Sequence, residues 1–332
     1  MIDPNIKKKR QFTIYLTVLI VILPFVFLYL KYADKEPESL TQNFTVARPQ
    51  TPVQKAQISQ NRDKSAYKGD ITIYKKDIIN NSVQIPFEVH DMIISRDKKK
   101  LYTIGHGISV IDISNLNHIK LLGLFYFPEA KYKVQDIQAA ESNDGKSLYV
   151  ASPNLGILRL DVTDPKNVNV ATKFEAKGYH KIKLSDDNKL AYIKSIDGMC
   201  ILDISSDDIK KIGEFISIES FNNIENGDIA IYSKKYILMS DFAGFHTLDV
   251  SDPKNIKEVY KKEDFKPVIH LSISPDRKYL YSNELHNFKI YDIENIHKIK
   301  FEKNYMVDNR IYDFVINKEG DLAYIARSRD SL

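Results

Sequence analysis

From residue 70 onward, short apolar runs alternate with polar turns in a regular order. One unit contains an alternating segment (His180–Ser185), a turn followed by an apolar run (Ser185–Ser195), a run that begins with glycine and ends in a turn (Gly198–Asp207) and a final run (Ile209–Phe215). Each run has the length and the Val, Ile and Tyr content of a strand, and turn residues bound it. The pattern therefore predicts an all-β region with four short strands in each unit.

The third run of each unit is the clearest repeat. It ends at an aspartate that is followed by Ile or Val, then in four copies by Ser or Thr, and in two of these by Asp-Pro. These polar residues accept nearby backbone N–H groups, and the proline fixes φ in a turn. The aspartates lie 42 to 49 residues apart, and they are Asp112, Asp161, Asp203, Asp249 and Asp292. Four-stranded units of about 45 residues are typical of β-propeller blades.

The two ends of the repeat region complement one another. Residues 312–328 supply the first two strands of a sixth unit, whereas 70–87 resemble the last two strands of a unit whose start is missing. Pairing of 70–87 with 310–328 would close a ring and leave no exposed edge strand. We therefore expect a six-bladed β-propeller over residues 70–332, with a seven-bladed ring as the alternative.

The third-strand pattern Gly-x-x-(Val/Leu)-(Ile/Leu)-Asp-(Ile/Val)-(Ser/Thr)-(Asp/Asn)-Pro, best seen at Gly156–Pro165 and Gly244–Pro253, resembles the LVIVD repeat. The stretches SPDRKYLY and NDGKSLYV are similar to those of TolB-like and lactonase-like propellers. The resemblance implies an exported bacterial β-propeller, in a family linked to no single activity. The first, third and fifth copies lack the proline, and the absence of Trp argues against WD-type blades.

The N-terminal region predicts a membrane anchor. Residues 11–30 carry no charge, and twenty helical residues span roughly 30 Å, the thickness of a bilayer core. The basic cluster Lys7–Arg10 places the N-terminus in the cytoplasm by the positive-inside rule. We expect a single-pass protein with a cytoplasmic segment 1–10, a transmembrane signal anchor 11–32, a flexible linker 33–69 and a propeller in the periplasm or outside the cell. A cleaved signal peptide fits less well, since no small-residue cleavage site follows the apolar run.

The net charge of +4 changes meaning once it is divided along the chain. Residues 1–69 hold eleven Lys and Arg against five acids, so the remaining 263 residues carry 37 basic and 39 acidic side chains, a net of −2. A nucleic-acid partner is therefore not expected, because such proteins concentrate basic residues on the folded surface. The single cysteine, Cys200, excludes an internal disulfide and is predicted to be a small core residue.

Aromatic residues recur at one position of the second strand, where they are predicted to pack between blades: Tyr102, Tyr149, Tyr192, Tyr281 and Tyr324. Three others, Tyr126, Phe127 and Tyr132, lie between the first two units and could form a binding patch.

The candidate ligand site is the mouth of the central channel, where the innermost strands begin. Polar residues stand near these starts, namely Asp91, Asp136, Lys181, His270 and Asp313, while the fourth unit is ambiguous around Gly227 and Asp228. Such a set could bind a cation or a polar ligand, or it could line a water-filled channel. The sequence contains no metal or cofactor motif, so no cofactor is expected, and a divalent cation at the channel mouth is the alternative.

Two functions follow from these features. The first is a binding module that presents its loop face to an envelope protein or glycan, and it rests on the repeat, the tether and the lack of a catalytic motif. The alternative is a metal-dependent, lactonase-like hydrolase with Asp91, Asp136 and Asp313 at the metal. The fold class does not decide between them, because propellers host both activities.

Overall fold

The computed structural model describes residues 83–115, 118–127, 137–217, 227–241, 244–263, 268–284, 286–307, 310–320 and 322–327. The predicted anchor at 11–32 and the linker at 33–69 lie outside these residues. Within them, no helix has the length and apolar character needed to cross a membrane. The described part is all-β, with a short 3-10 turn at Pro253–Asn255.

Strands β1 to β22 form six antiparallel sheets, here called blades I to VI. Blade I contains β1 (Val89–Ile94), β2 (Lys100–Gly105), β3 (Gly107–Asp112) and β4 (Lys120–Tyr126). Blade II contains β5 (Gln138–Glu141), β6 (Ser147–Ser152), β7 (Gly156–Asp161) and β8 (Asn169–Phe174). Blade III contains β9 (Tyr179–Leu184), β10 (Leu190–Ser195), β11 (Gly198–Asp203) and β12 (Lys210–Ile216).

Blade IV contains β13 (Ile229–Ile231), β14 (Tyr236–Asp241), β15 (Gly244–Asp249) and β16 (Lys257–Glu263). Blade V contains β17 (His270–Ile273), β18 (Tyr279–Glu284), β19 (Asn287–Asp292) and β20 (Lys300–Met306). Blade VI contains β21 (Ile311–Ile316) and β22 (Ala323–Arg327). The prediction of four strands per unit is confirmed for blades I to V.

The blades surround a common axis. Their first strands, β1, β5, β9, β13, β17 and β21, contact one another in chain order, so each blade places its first strand innermost. Buried apolar side chains fill the spaces between consecutive blades. The predicted packing of the second-strand tyrosines is confirmed for Tyr102, Tyr149, Tyr192 and Tyr281, which are buried, while Tyr324 is half-buried.

The aspartate that ends each third strand forms the predicted turn. Asp161 Oδ1 accepts the Thr163 N–H at 2.9 Å and the Thr163 hydroxyl at 2.6 Å, and the other four aspartates accept the equivalent N–H. Gly156, at the start of its third strand, has φ +80°, and a Cβ there would lie 2.2 Å from the Phe174 carbonyl oxygen. The repeated glycine is therefore required both by its conformation and by the close approach of the fourth strand.

The two turns that contain proline pack closely against the outer strand of the preceding blade. A Cβ on Gly123 in β4 would lie 1.9 Å from the Pro165 carbonyl oxygen, and a Cβ on Gly213 in β12 would lie 1.7 Å from that of Pro253. The Asp-Pro turns of blades II and IV thus sit directly on glycines in the outer strands of blades I and III.

The segment before β1 packs on blade I. Val83 and Ile85 contact the cluster of Leu101, Ile111 and Ile113. Residues 83–87 contain no strand, and 70–82 lie outside the described part of the chain, so the pairing predicted between 70–87 and 310–328 stays a prediction. The predicted core role of Cys200 is confirmed, because this side chain is 3% exposed and burial raises the pKa of its thiol to about 11.

Candidate functional site

One polar residue per blade stands at the same register near the start of the innermost strand. In blades I to V this residue faces the fifth residue of the second strand, as in the pairs Asp91 with Ile104, Lys181 with Lys194 and His270 with Asn283. In blade VI, Asp313 faces Ala326, the fourth residue of β22, which begins one residue later in the repeat. The full set, called the channel ring below, is Asp91, Gln138, Lys181, Asp228, His270 and Asp313. Four of the five predicted site residues belong to it.

The fifth, Asp136, lies outside the described residues, and the register assigns its place in the ring to Gln138. The sequence contained the signal for this correction. Ser95 and Ser142 follow the innermost strands of blades I and II, and counting four residues back from each gives Asp91 and Gln138. The same count from Tyr232 resolves the ambiguity in blade IV in favour of Asp228.

Three ring residues join neighbouring blades. Asp91 Oδ2 accepts the Ala139 N–H at 2.9 Å, Gln138 Oε1 accepts the Ile182 N–H at 3.0 Å, and Asp228 Oδ2 accepts the Leu271 N–H at 2.9 Å. Each donor is the residue directly after the next member of the ring. These side chains therefore act as clasps between blades, a structural role that separate sequence motifs do not reveal.

The two aspartate clasps differ in their electrostatics. Burial raises the pKa of Asp91 to about 6, although the N–H groups of Ala139 and Met92 and the charge of Lys181 oppose this shift. Burial also disfavours the charged form of Asp228, but the nearby charges of Lys183 and His270 outweigh it and hold the pKa of Asp228 far below its ordinary value.

His270 bridges two carboxylates of the ring. Its Nδ1 lies 2.8 Å from Asp228 Oδ2, and its Nε2 lies 3.6 Å from Asp313 Oδ1. The Asp228 side chain is fully buried, whereas that of Asp313 is 50% exposed. The imidazole also packs edge to face on Phe314, with ring centroids 5.0 Å apart. One side of His270 is thus fixed by the protein, and the other side opens towards solvent.

Behind the ring, blades IV and V each bury an acid–base pair at equivalent positions. In blade IV, His246 Nε2 lies 3.0 Å from Asp241 Oδ1, and its Nδ1 contacts Glu258. In blade V, Lys289 Nζ lies 2.7 Å from Glu284 Oε2. In both blades the acid ends the second strand and the base is the third residue of the third strand. Neither pair is among the residues that the sequence pattern singled out as candidate site residues.

Blade III adds two buried basic groups next to the ring. Lys194 is 3% exposed and donates to the Ser195 carbonyl at 2.7 Å, and burial lowers the pKa of its amine to about 8. Burial likewise lowers the pKa of His180 to about 4, and Lys194 and Lys181 add to this shift. The imidazole is therefore neutral at physiological pH.

Exposed apolar side chains share the face of the molecule on which the ring opens. The fourth strands end beside the starts of the third strands, as in the pairs Gly107 with Tyr126, Gly198 with Ile216 and Asn287 with Met306. These ends lie on the ring side of each blade, and we call this side the ring face.

The four most exposed of these side chains are large. Their exposed fractions are 81% for Met306, 56% for Ile216, 54% for Tyr312 and 53% for Tyr126. Of the predicted aromatic patch, Tyr126 is exposed, whereas Phe127 is 2% exposed and packs in the core between blades I and II, so it does not belong to a surface patch. Tyr132 lies outside the described residues.

Among the residues that the structure describes, no group of three or more His, Cys, Asp or Glu side chains is placed to hold a metal ion. Both Asp91 oxygens accept backbone N–H groups, and Asp136 lies outside this part of the chain.

Comparisons with solved structures agree with a β-propeller fold. The chain is similar to the β-propeller domain of Swd1 from Myceliophteria thermophila, with 13% identity over 76% of this chain and 84% of that one, at a TM-score of 0.56. It is also similar to the periplasmic gluconolactonase of Pseudomonas aeruginosa, with 10% identity over 65% of this chain and 69% of that one, at a TM-score of 0.55. A putative 6-phosphogluconolactonase from Bacteroides fragilis matches with 17% identity over 64% of this chain and 69% of that one, at a TM-score of 0.54.

No protein-family model matches the sequence, and no curated protein matches it. The resemblance to the LVIVD repeat therefore stays a prediction, while the β-propeller fold is shown.

Proposed function

We propose that this protein is an exported, membrane-anchored β-propeller that binds a protein of the cell envelope through its ring face. The observation that carries this proposal is the set of four large side chains, Tyr126, Ile216, Met306 and Tyr312, each more than half exposed on one face. Large apolar side chains exposed on one face are unfavourable in water, and protein-binding sites are enriched in them.

A protein fits this face better than a glycan. Ile216 and Met306 have no flat ring on which a sugar could stack, although Tyr126 and Tyr312 do. The polar groups of the ring that would orient a sugar are in part engaged already, since Asp91, Gln138 and Asp228 accept N–H groups of neighbouring blades.

The proposal includes a closed ring of six blades, with 70–87 completing blade VI. One observation supports closure. Val83 and Ile85, which follow directly on residues 70–82, pack against the cluster of Leu101, Ile111 and Ile113 in blade I. The anchor at 11–32 and the linker at 33–69 rest on the sequence, and they would hold this ring near the outer surface of the cytoplasmic membrane.

The test compares two apolar surfaces of equal chemistry. In cells, the full chain with Met306→Ser and Ile216→Ser is crosslinked and purified from the envelope beside a control with Phe301→Ser and Val259→Ser. The control residues are exposed apolar side chains on the outer strands β20 and β16, at 52% and 36%. We expect the ring-face variant to lose a protein that the wild type and the control both recover.

Equal recovery by both variants would contradict the proposal. Loss of binding to isolated envelope glycan, with no protein recovered by the wild type, would favour the glycan alternative instead. Both variants truncate exposed side chains, so the free energy of unfolding of each should lie within about 0.5 kcal/mol of the wild-type value.

A lactonase-like hydrolase is the second candidate, and the His270 bridge is the observation that favours it. A buried carboxylate on Nδ1 and a partly open Nε2 form the arrangement of a general base that activates water. Two of the similar solved structures are a periplasmic gluconolactonase and a putative 6-phosphogluconolactonase. Hydrolysis of δ-gluconolactone, measured with and without added divalent ions, should then be lost in His270→Gln. No hydrolysis by the wild type in either condition would remove this candidate.

A further inference from the structure

The outer strand of blade I has an unprotected edge. In its sheet β4 is the last strand, and no segment of the described chain pairs with its free side. From Leu121 to Tyr126 the strand carries no charge, and Nζ of Lys120, its first residue, lies 3.5 Å from Asp112 Oδ2. The outer strands of blades II to V each carry at least one lysine. Since charged side chains keep an exposed edge from pairing with another chain, the edge of β4 is open to such pairing.

Two leucines of β4 are exposed beside this edge. Leu121 and Leu124 stand opposite the fifth and the third residue of β3, and their exposed fractions are 37% and 38%. Leu122 and Phe125 of the same strand pack instead against the core between blades I and II. An apolar pair therefore lies in water along a strand whose outer backbone groups are also unpaired within the described chain.

The same two positions point outward in the other blades. They hold Val170 and Lys173 in blade II, Lys211 and Glu214 in blade III, Glu258 and Lys261 in blade IV, and Phe301 and Asn304 in blade V. Seven of these eight side chains are exposed, although each of these blades follows a complete four-stranded blade. Completion of blade VI by 70–87 would therefore not cover Leu121 and Leu124. Among the five described outer strands, β4 alone has an apolar residue at both positions.

A second copy of this chain fits the edge. A two-fold axis would set β4 of one chain antiparallel to β4 of the other and join the two sheets through backbone hydrogen bonds. In this arrangement the Lys120 side chains, the only charges on the two strands, stand at opposite ends of the pair. The leucines of both chains come to one face of the joined sheet, where apolar cross-strand contacts stabilise it.

We propose that two copies of the chain associate through their β4 strands and cover Leu121 and Leu124. One strand of seven residues is a small contact beside the roughly 1,200–2,000 Å² of a stable interface, so the dimer is weak and depends on concentration. Because β4 ends on the ring face at Tyr126, antiparallel pairing turns the two ring faces to opposite ends. Both ring faces stay open to a partner, and the dimer does not depend on the proposed function.

The experiment uses the single native cysteine, Cys200, which is buried and leaves a clean background for crosslinking. The purified full chain with Leu124→Cys is treated with a short bismaleimide over a range of chain concentrations. Asn304→Cys, at the equivalent position of blade V, is the matched control. We expect about tenfold more crosslinked dimer from Leu124→Cys, because only its cysteine lies at the contact.

A charge placed at the contact gives a second comparison. In the Leu124→Cys background, Leu121→Lys adds like charges where the strands meet and should lower the dimer yield about tenfold. Phe301→Lys, at the equivalent position of blade V, should leave the yield unchanged. All substituted side chains are exposed, so the melting temperature of each variant should stay near that of the wild type.

Equal crosslinking of Leu124→Cys and Asn304→Cys, or an unchanged yield with Leu121→Lys, would overturn the proposal. A monomer in which the cysteine of Leu124→Cys does not react would mean that another part of the same chain covers β4, and it would overturn the proposal too. The ring-face variant, Met306→Ser with Ile216→Ser, should dimerise like the wild type, so failure of the dimer and failure of the proposed function are separate results.

Discussion

Blades II and V share one backbone plan but differ in what they bury. At the last residue of the second strand and the third residue of the third strand, blade II has Ser152 and Leu158, whereas blade V has Glu284 and Lys289. All four side chains are at most 9% exposed. Blade IV resembles blade V, because it has Asp241 and His246 at the same two positions.

This difference shows that the repeat determines the strands and turns of a blade but does not determine which residue types occupy these two buried positions. The aspartate turn and the apolar faces recur in blades I to V, and the third-strand glycine recurs in blades I to IV. The two positions between the second and third strands nevertheless accept either an uncharged pair or a complementary charged pair. In blades IV and V each buried charge has a partner of opposite charge across the hairpin, because an isolated charge would lose its hydration without compensation.

The largest effect should come from splitting the charged pair of blade V. Lys289→Met leaves the Glu284 carboxylate, 1% exposed, without its ammonium partner and should lower the free energy of unfolding by about 3–5 kcal/mol. The same new residue at the equivalent site of blade II, Leu158→Met, conserves volume and should cost less than about 1.5 kcal/mol. Urea denaturation measures both.

The double variant Glu284→Gln with Lys289→Met makes this comparison sharper. It removes the uncompensated charge, so it should be clearly more stable than Lys289→Met alone. If the double variant were less stable, the pair would not explain the loss, and the two blades would differ for another reason.

An effect of intermediate size is expected for the clasps of blades I and IV. Their contributions to the free energy of unfolding should change with pH in opposite directions. The pKa of Asp91 is raised to about 6 in the folded chain, so between pH 4 and 6 the native state holds a proton that the unfolded chain has released. The stability that Asp91 contributes, relative to Asp91→Asn, should therefore fall by about 2 kcal/mol as the pH rises through this window.

Asp228 should behave in the opposite way. Its pKa is lowered in the folded chain, so its contribution relative to Asp228→Asn is complete above the ordinary aspartate pKa and is lost as the pH falls below about 4. Urea unfolding of wild type and both variants from pH 3 to pH 7 tests this contrast. Two difference curves of the same sign would show that the clasps are electrostatically alike.

The smallest effect should show that the frame itself is uniform. Asp161→Ala in blade II and Asp249→Ala in blade IV each remove an acceptor for a turn N–H, at 2.9 Å and 3.0 Å. Each should cost about 1 kcal/mol, and the two values should agree within about 0.5 kcal/mol, because the turn is exposed in both blades. A much larger loss in blade IV would mean that its charged interior depends on this turn.

Much of this architecture could be predicted because it is local. The third-strand glycine, the aspartate turn and the second-strand tyrosine lie within a few residues of one another, and their chemistry specifies strand and turn directly. Four ring positions were found in the same way, from polar residues at the starts of alternating strands. Gln138 was not predicted, because its place in the ring follows from the register counted back from the end of β5, and Asp136 stays a prediction.

The sequence by itself determined the repeat, the four-stranded blades, the core tyrosines and the buried Cys200, since each depends on hydrophobic period and turn chemistry. The tertiary structure alone decided that Asp91, Gln138 and Asp228 clasp the next blade, that charged pairs fill blades IV and V, and that Phe127 is core. The inter-blade contacts join residues more than forty positions apart, and the burial of Phe127 depends on how two blades meet. Local pattern carries no information about such contacts, because burial and partner choice are properties of the assembled ring.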